Sequence, residues 1–177
     1  MVQSLELILD DALDEAVRRE WQTLADAGLP SQARHTGASN RPHITLSVAE
    51  NFDRLDALFA ADVVVEPIFA VRLGATVVFR GRSATLARSV IPSTELLEFH
   101  RKMSTLSSDA EGLRGHTAPG QWTPHVTLAR RLGAAELVEA LLVLDSAPST
   151  LVGTTAALRR WDGDRKEEWL VGGGQNR

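Results

Sequence analysis

Pro42-His43-Ile44-Thr45-Leu46 and Pro124-His125-Val126-Thr127-Leu128 are near copies of one another, each reading Pro-His-aliphatic-Thr-Leu. In an extended strand the side chains alternate between faces, so residues i and i+2 point the same way. His43 and Thr45 therefore share one face, with Ile44 and Leu46 on the other. His125 and Thr127 are opposed to Val126 and Leu128 in the same manner. The apolar members are expected in the core, which leaves two His-Thr pairs facing outward or into a cleft. Chance alone yields a segment of this type about 0.003 times in a chain of this composition, so two copies are not coincidence.

The histidines stand 82 positions apart, and sliding the sequence by that amount aligns more than the motifs. The strand pattern Ser4–Leu9 falls on Leu86–Ile91, and the helical pattern Asp11–Ala27 falls on Ser93–Asp109. Asp53–Ala61 falls on Ala135–Val143, and Ile68–Leu73 near Thr150–Thr155. Even the approaches rhyme: Arg34-His35-Thr36 precedes the first motif and Arg114-Gly115-His116-Thr117 the second. The expected organisation is a single bilobal domain over 1–177. Its repeat halves are about 1–82 and 83–164, with a C-terminal strand and tail at 165–177. Two pseudo-symmetric lobes would set the motifs opposite one another across a cleft.

The chain has 177 residues, 44% hydrophobic and 24% charged, which is ordinary for a globular protein. No stretch has the apolar length of a membrane span, and no basic region leads an apolar run at the N-terminus. Cysteine is absent, which excludes disulfides, thiolate metal sites and cysteine nucleophiles and fits the cytoplasm. A net charge of −4 argues against coating duplex DNA. Arginines collect in loops and strands (Arg34, Arg41, Arg80, Arg82, Arg88, Arg114, Arg130 and Arg131), a distribution that suits a small anionic ligand. A monomer without membrane contact is expected.

Leu5, Leu7 and Leu9 mark a largely buried first strand, and Asp10 or Asp11 caps the helix that follows. Leu13, Val17, Trp21 and Leu24 form that helix's apolar stripe. Ile68–Phe79 reads as two strands broken near Gly74. In the next helix Leu96, Leu97, Met103 and Leu106 are expected to face inward, with His100 partly buried among them. Leu137, Val138, Leu141 and Leu142 mark the last helix. Strands near Leu151–Trp161 and Lys166–Val171 flank the turn-prone Asp162-Gly163-Asp164, with Trp161 and Trp169 as a cross-strand core pair. The tail 172–177 is expected to be mobile. Leu9-Asp10-Asp11-Ala12 is not the glycine-rich phosphate loop of a doubly wound parallel sheet. The expected fold is therefore α+β, mainly antiparallel, with outer helices.

Cleaving a phosphodiester requires a base for the nucleophile and an acid for the leaving oxygen. Histidine titrates near neutral pH, so one copy can be neutral while the other is charged. A threonine hydroxyl two residues on can bond a non-bridging phosphate oxygen, and nearby cationic donors can stabilise developing charge. Two opposed histidines can also bind a metal. However, no acidic or cysteine partner stands at ligand spacing and no His-Glu-x-x-His motif occurs, so no cofactor or metal is expected.

The paired His-x-Thr segments, one in each half of a chain of this size, resemble the two-histidine phosphoesterase superfamily, specifically its 2′-5′ RNA ligase-like and RNA 2′,3′-cyclic phosphodiesterase family. The resemblance implies two antiparallel lobes with both motifs lining the cleft. It also implies metal-independent action on 2′,3′-cyclic phosphates or related 2′-linked phosphodiesters. It assigns His43 and His125 as the acid–base pair, Thr45 and Thr127 as phosphate ligands, and Arg130 as the basic residue after the second motif. After the first motif this chain continues Ser47-Val48-Ala49-Glu50, where the best-known bacterial branch has an aromatic- and glycine-containing segment, and it has no tyrosine. A small nucleotide thus stands level with an RNA end as the expected substrate. A nucleotide- or phosphate-binding module without turnover, and 2′-5′ ligation, are the alternatives.

Other residues carry double readings. His35 and His116 are substrate contacts or exposed loop histidines. Trp122 stacks on a base or packs its loop. Arg41 adjoins the first motif but sits where arginines are often merely solvated.

Overall fold

Seven consecutive residues, Gln3–Leu9, form β1, and all of them are buried. In the computed structural model, which describes residues 2–61 and 65–171, β1 lies between two partners. Asp10 then turns the chain into helix α1, Asp11–Asp26, its Oδ1 accepting from the Leu13 N–H at 2.8 Å. The expected stripe Leu13, Val17, Trp21 and Leu24 is buried, with Glu20 beside it. Burying each large apolar side chain contributes roughly 1.5–3 kcal/mol.

The remaining elements are β2 (His43–Ala49), α2 (Asp53–Ala60), β3 (Ala70–Phe79), β4 (Ala84–Val90), α3 (Thr94–Leu106), β5 (His125–Leu132), α4 (Ala134–Val143), β6 (Leu151–Asp162) and β7 (Glu167–Val171). Short 3₁₀ turns at Gln32–Arg34 and Gly115–Thr117 precede the two motif strands. The fold is α+β with an antiparallel sheet.

The strand order is β2-β1-β6-β3-β4-β5, with β7 on β6. It is palindromic in the repeat: β2 answers β5, β1 answers β4, and β6 pairs with β3 at the centre. Each half of the chain therefore contributes one strand to the other's sheet. Asp10 Oδ2 also accepts from the Thr154 N–H at 2.5 Å and its hydroxyl at 2.9 Å, which ties β6 to the start of α1. Only glycine fits at 153, because a Cβ there would stand 2.9 Å from both Asp10 Oδ2 and the Leu13 Cβ.

The helices cross over as well. Helix α1 packs against β5 and β6, and α3 against β2. Glu20 of α1 and Arg88 of β4 form a buried ion pair, with Nη2 to Oε1 at 2.5 Å. Arg88 also donates to the Gly74 carbonyl at 3.0 Å and the Pro148 carbonyl at 2.9 Å. Arg160 is fully buried between the Phe52 and Trp169 rings and pairs with Asp56 at 2.8 Å.

Several local expectations are corrected. Residues 70–79 form one strand, with an irregular register between Leu73 and Thr76 in place of a break. Leu97, expected to face inward, is exposed. Trp161 and Trp169 are not a pair: Trp169 stands opposite Arg160, and Trp161 opposite Glu168. That one-residue offset puts the two indoles on opposite faces. The tail 172–177 lies outside the described residues.

Candidate functional site

Proline at 42 and at 124 precedes each histidine, and the two histidines begin β2 and β5 in the same local geometry. The Nδ1 of His43 lies 2.7 Å from the Arg41 carbonyl oxygen, and the Nδ1 of His125 lies 2.7 Å from that of Thr123. A carbonyl only accepts, so each Nδ1 carries the proton and donates it two residues back. In the neutral ring each Nε2 is thereby left without a proton and able to accept one.

Ile44, Leu46, Val126 and Leu128 are buried in the hydrophobic core, as the alternation predicts. His43, Thr45 and His125 are half-buried on the other face, and Thr127 is buried. Although β2 and β5 are opposite ends of the strand order, they touch, so the sheet curls until the two motif strands meet.

Two tryptophans fix the motifs from behind. The Trp21 indole of α1 donates to the Thr127 carbonyl at 2.9 Å, and the Trp122 indole donates to the Thr45 carbonyl at 2.9 Å. Each indole thus occupies a free carbonyl on an edge strand, a group that would otherwise invite pairing. Trp122 also stacks on His100, with centroids 3.8 Å apart and planes within 6°. Trp122 is therefore packed in its loop and tied to the first motif. His100 is buried and its Nε2 meets the Thr117 carbonyl at 2.9 Å, so it is a structural histidine.

Burial pushes the His125 imidazole below the ordinary histidine value. The Thr123 carbonyl opposes this, and the charges of Arg130, His43 and His116 add to the lowering. His43, His116 and Arg130 therefore lie within electrostatic reach of His125. Arg130 is at odd separation from Thr127, which in a regular strand would place it on the opposite face. The register explains its reach: Thr127 pairs with Ala87 but Ala129 pairs with Leu86, a bulge that reverses the alternation between them. The Phe79 ring lies 4.5 Å from the His125 ring, centroid to centroid.

Beside His43 the structure places groups that the sequence reading missed. Glu6 of β1 is buried, and its Oε1 lies 3.6 Å from His43 Nε2. Arg159 of β6 is paired with Glu6 and donates to Glu168 at 2.7 Å. Burial pushes the Glu6 carboxyl up, but His43, Arg159 and the Ser4 hydroxyl outweigh it and hold it below the usual carboxylate range. Arg41 is not merely solvated, since it pairs with Glu168 at 2.5 Å. The available signal was an acidic residue interrupting the leucine run Leu5-Glu6-Leu7-Ile8-Leu9.

His35 lines a polar hollow with Arg18, Trp21, Gln22, Thr36 and Asn40 between α1 and the loop before β2. Among the described residues, no cluster of three or more His, Asp or Glu side chains is placed to hold a metal ion. No helix among them is long and apolar enough to cross a membrane.

The 2′-5′ RNA ligase superfamily model matches residues 11–165 of this chain. No curated protein matches it by sequence. Among solved structures, the fold is similar to that of Kluyveromyces marxianus Usb1 (12% identity over 97% of each chain, TM-score 0.53), which has also been solved with uridine monophosphate. It is similar as well to E. coli LigT complexed with 3′-AMP (13% identity over 96% of each chain, TM-score 0.54). A third similar structure is TT0787 of Thermus thermophilus, at 17% identity over 99% of this chain and 100% of that one, with a TM-score of 0.57. At these identities the likeness is one of fold.

Proposed function

The chain belongs to the 2′-5′ RNA ligase superfamily of two-histidine phosphoesterases, and from that premise we propose that it hydrolyses a 2′,3′-cyclic phosphate or a related 2′-linked phosphodiester on a small nucleotide or RNA end. The observation that carries this reading is the matched tethering of His43 and His125. Both Nδ1 atoms are committed to a backbone carbonyl at 2.7 Å, and both Nε2 atoms are left for proton transfer. The bound 3′-AMP and uridine monophosphate of two similar folds support a nucleotide-sized substrate.

In this reading one histidine takes a proton from water and the other gives a proton to the departing ribose oxygen. Thr45 and Thr127 hold non-bridging phosphate oxygens, and Arg130 stabilises the charge that develops on them. The histidines supply both proton transfers, so the reaction is expected to run without an added metal.

The test is turnover of the four nucleoside 2′,3′-cyclic monophosphates in EDTA, comparing wild type with His43→Ala and His125→Ala. Turnover by wild type and a loss of about 10²–10⁴-fold in each variant, with unchanged melting temperature, is the expected outcome. Activity that EDTA abolishes and zinc restores would overturn the mechanism. Tight nucleotide binding without product would replace the enzyme reading with a binding module.

A further inference from the structure

The two motifs are alike, but their neighbours in the sheet are not. Thr45 stands opposite Glu6 of β1, and Glu6 stands opposite Arg159 of β6. In the other half Thr127 stands opposite Ala87 of β4, and Ala87 opposite Val77 of β3. The histidines keep the same relation, with His43 opposite Ile8 and His125 opposite Ser89. Equivalent positions in one repeat therefore hold a carboxylate and a guanidinium behind the first motif, and a methyl and an isopropyl group behind the second.

Packing does not require this ion pair, because the apolar row completes the same three-strand arrangement in the other half. Taking two charges out of water is costly. Glu6 and Arg159 are nonetheless 4% and 3% exposed. Arg159 Nε donates to Glu6 Oε2 at 2.9 Å, and the Ser4 hydroxyl donates to Oε1 at 2.5 Å. The same Oε1 faces His43 Nε2 at 3.6 Å, the nitrogen left for proton transfer.

We infer that Glu6 is a positioning residue that makes His43 the proton donor of the pair and leaves His125 as the base. This rests on the phosphodiesterase reading above and deepens it by assigning the two roles. The charged groups near His43 are Glu6 from β1, Arg159 from β6 and His125 from β5, with Glu168 of β7 and Arg41 of its own loop joined to them through Arg159. Arg159 Nη2 lies 3.5 Å from His43 Nδ1, but that guanidinium is shared between Glu6 and Glu168, and Arg41 is paired with Glu168. Two arginines and two glutamates balance, and the carboxylate of this set that faces Nε2 is that of Glu6. A proton on Nε2 gains this carboxylate as its neighbour. At His125 the charges of Arg130, His43 and His116 act instead, and all of them disfavour its proton.

In the balanced step, water gives one proton to Nε2 of His125 as its oxygen bonds to phosphorus, and the bond from phosphorus to one ribose oxygen breaks. That oxygen takes the proton from Nε2 of His43. A phosphomonoester and a free ribose hydroxyl result, and the histidines exchange protons with solvent to return to their starting states.

The experiment is an NMR titration of the histidine ring protons in wild type and Glu6→Gln, assigned with the two His→Ala variants and run without substrate. In Glu6→Gln the Arg159 charge near His43 keeps Glu168 as its remaining carboxylate partner. The His43 titration midpoint is expected to fall by about one pH unit, and that of His125 does not fall with it. The basic limb of kcat/KM on a cyclic nucleotide moves with it. Glu6→Asp keeps the charge but withdraws the carboxylate by one methylene, and it gives a smaller fall. It decides the matter if Glu6→Gln does not unfold cooperatively. An unmoved His43 midpoint overturns the inference, as does a movement of His125 in its place. A Glu6 that is only structural would lower the melting temperature and leave both midpoints where they were. Failure of wild type to turn over cyclic nucleotides would count against the proposed function and leave the titration result standing.

Discussion

His43 and His125 share a sequence, a strand position and a backbone tether, so differences between them come from what surrounds each ring. At His125 burial, with Phe79 against the ring, favours the neutral imidazole. A general base works only while neutral, and a lowered value keeps it neutral to lower pH. The acid limb of kcat/KM is therefore expected below about 6.5, the unperturbed histidine value. Phe79→Ala admits water to the ring and moves that limb back up toward the ordinary value, as a pH–rate profile would show. A limb already at the ordinary value in wild type would contradict this assignment.

Elements in this fold are held at their ends by side chains reaching across the sheet. Asp10 caps α1 and grips Thr154 of β6, so Asp10→Ala is expected to cost about 2 kcal/mol. Burial pushes its carboxyl up, but the Leu13 and Thr154 bonds prevail and hold it below the usual range. A carboxyl depressed by folding stabilises above its unfolded value, about 3.9, and that contribution is lost as pH falls through the folded value. Urea melts should accordingly show the Asp10→Ala deficit at pH 7 and a smaller one near pH 3. Trp122→Phe keeps an aromatic ring for His100 to stack on but removes the donor to the Thr45 carbonyl. The expected cost is about 1 kcal/mol in thermal melts, larger than an edge-strand loop substitution without such a bond.

Across the whole molecule, strand and helix exchange welds the two halves, and Glu20–Arg88 is the buried charge pair at one such crossing. Glu20→Ala leaves Arg88 buried without its counter-charge, and a loss of about 3–5 kcal/mol is expected by chemical denaturation. Replacing both residues together, Glu20→Leu with Arg88→Met, should recover much of it, because no lone charge then remains. A double variant no better than the single one would show that the carbonyl contacts of Arg88, rather than its charge, hold the crossing.

The His-x-Thr strands, an aspartate cap on α1 at Asp10 or Asp11, the stripe from Leu13 to Leu24 and the repeat in element order were legible because each depends on local periodicity or on spacing along the chain. The misread pairs mark the limit of such reading. Strand alternation alone does not give the register of a hairpin, and one residue of offset puts Trp161 and Trp169 on opposite faces. Arg88 and Arg41 looked available for a ligand, yet carboxylates far along the chain hold them. The sequence by itself determined that two equivalent His-Thr pairs would stand on the strand faces turned away from Ile44, Leu46, Val126 and Leu128. Only the tertiary structure decided which strands lie behind each pair. That choice set Glu6 and Arg159 beside one histidine and Ala87 and Val77 in the matching places by the other, because strand pairing is a long-range contact that no local pattern encodes.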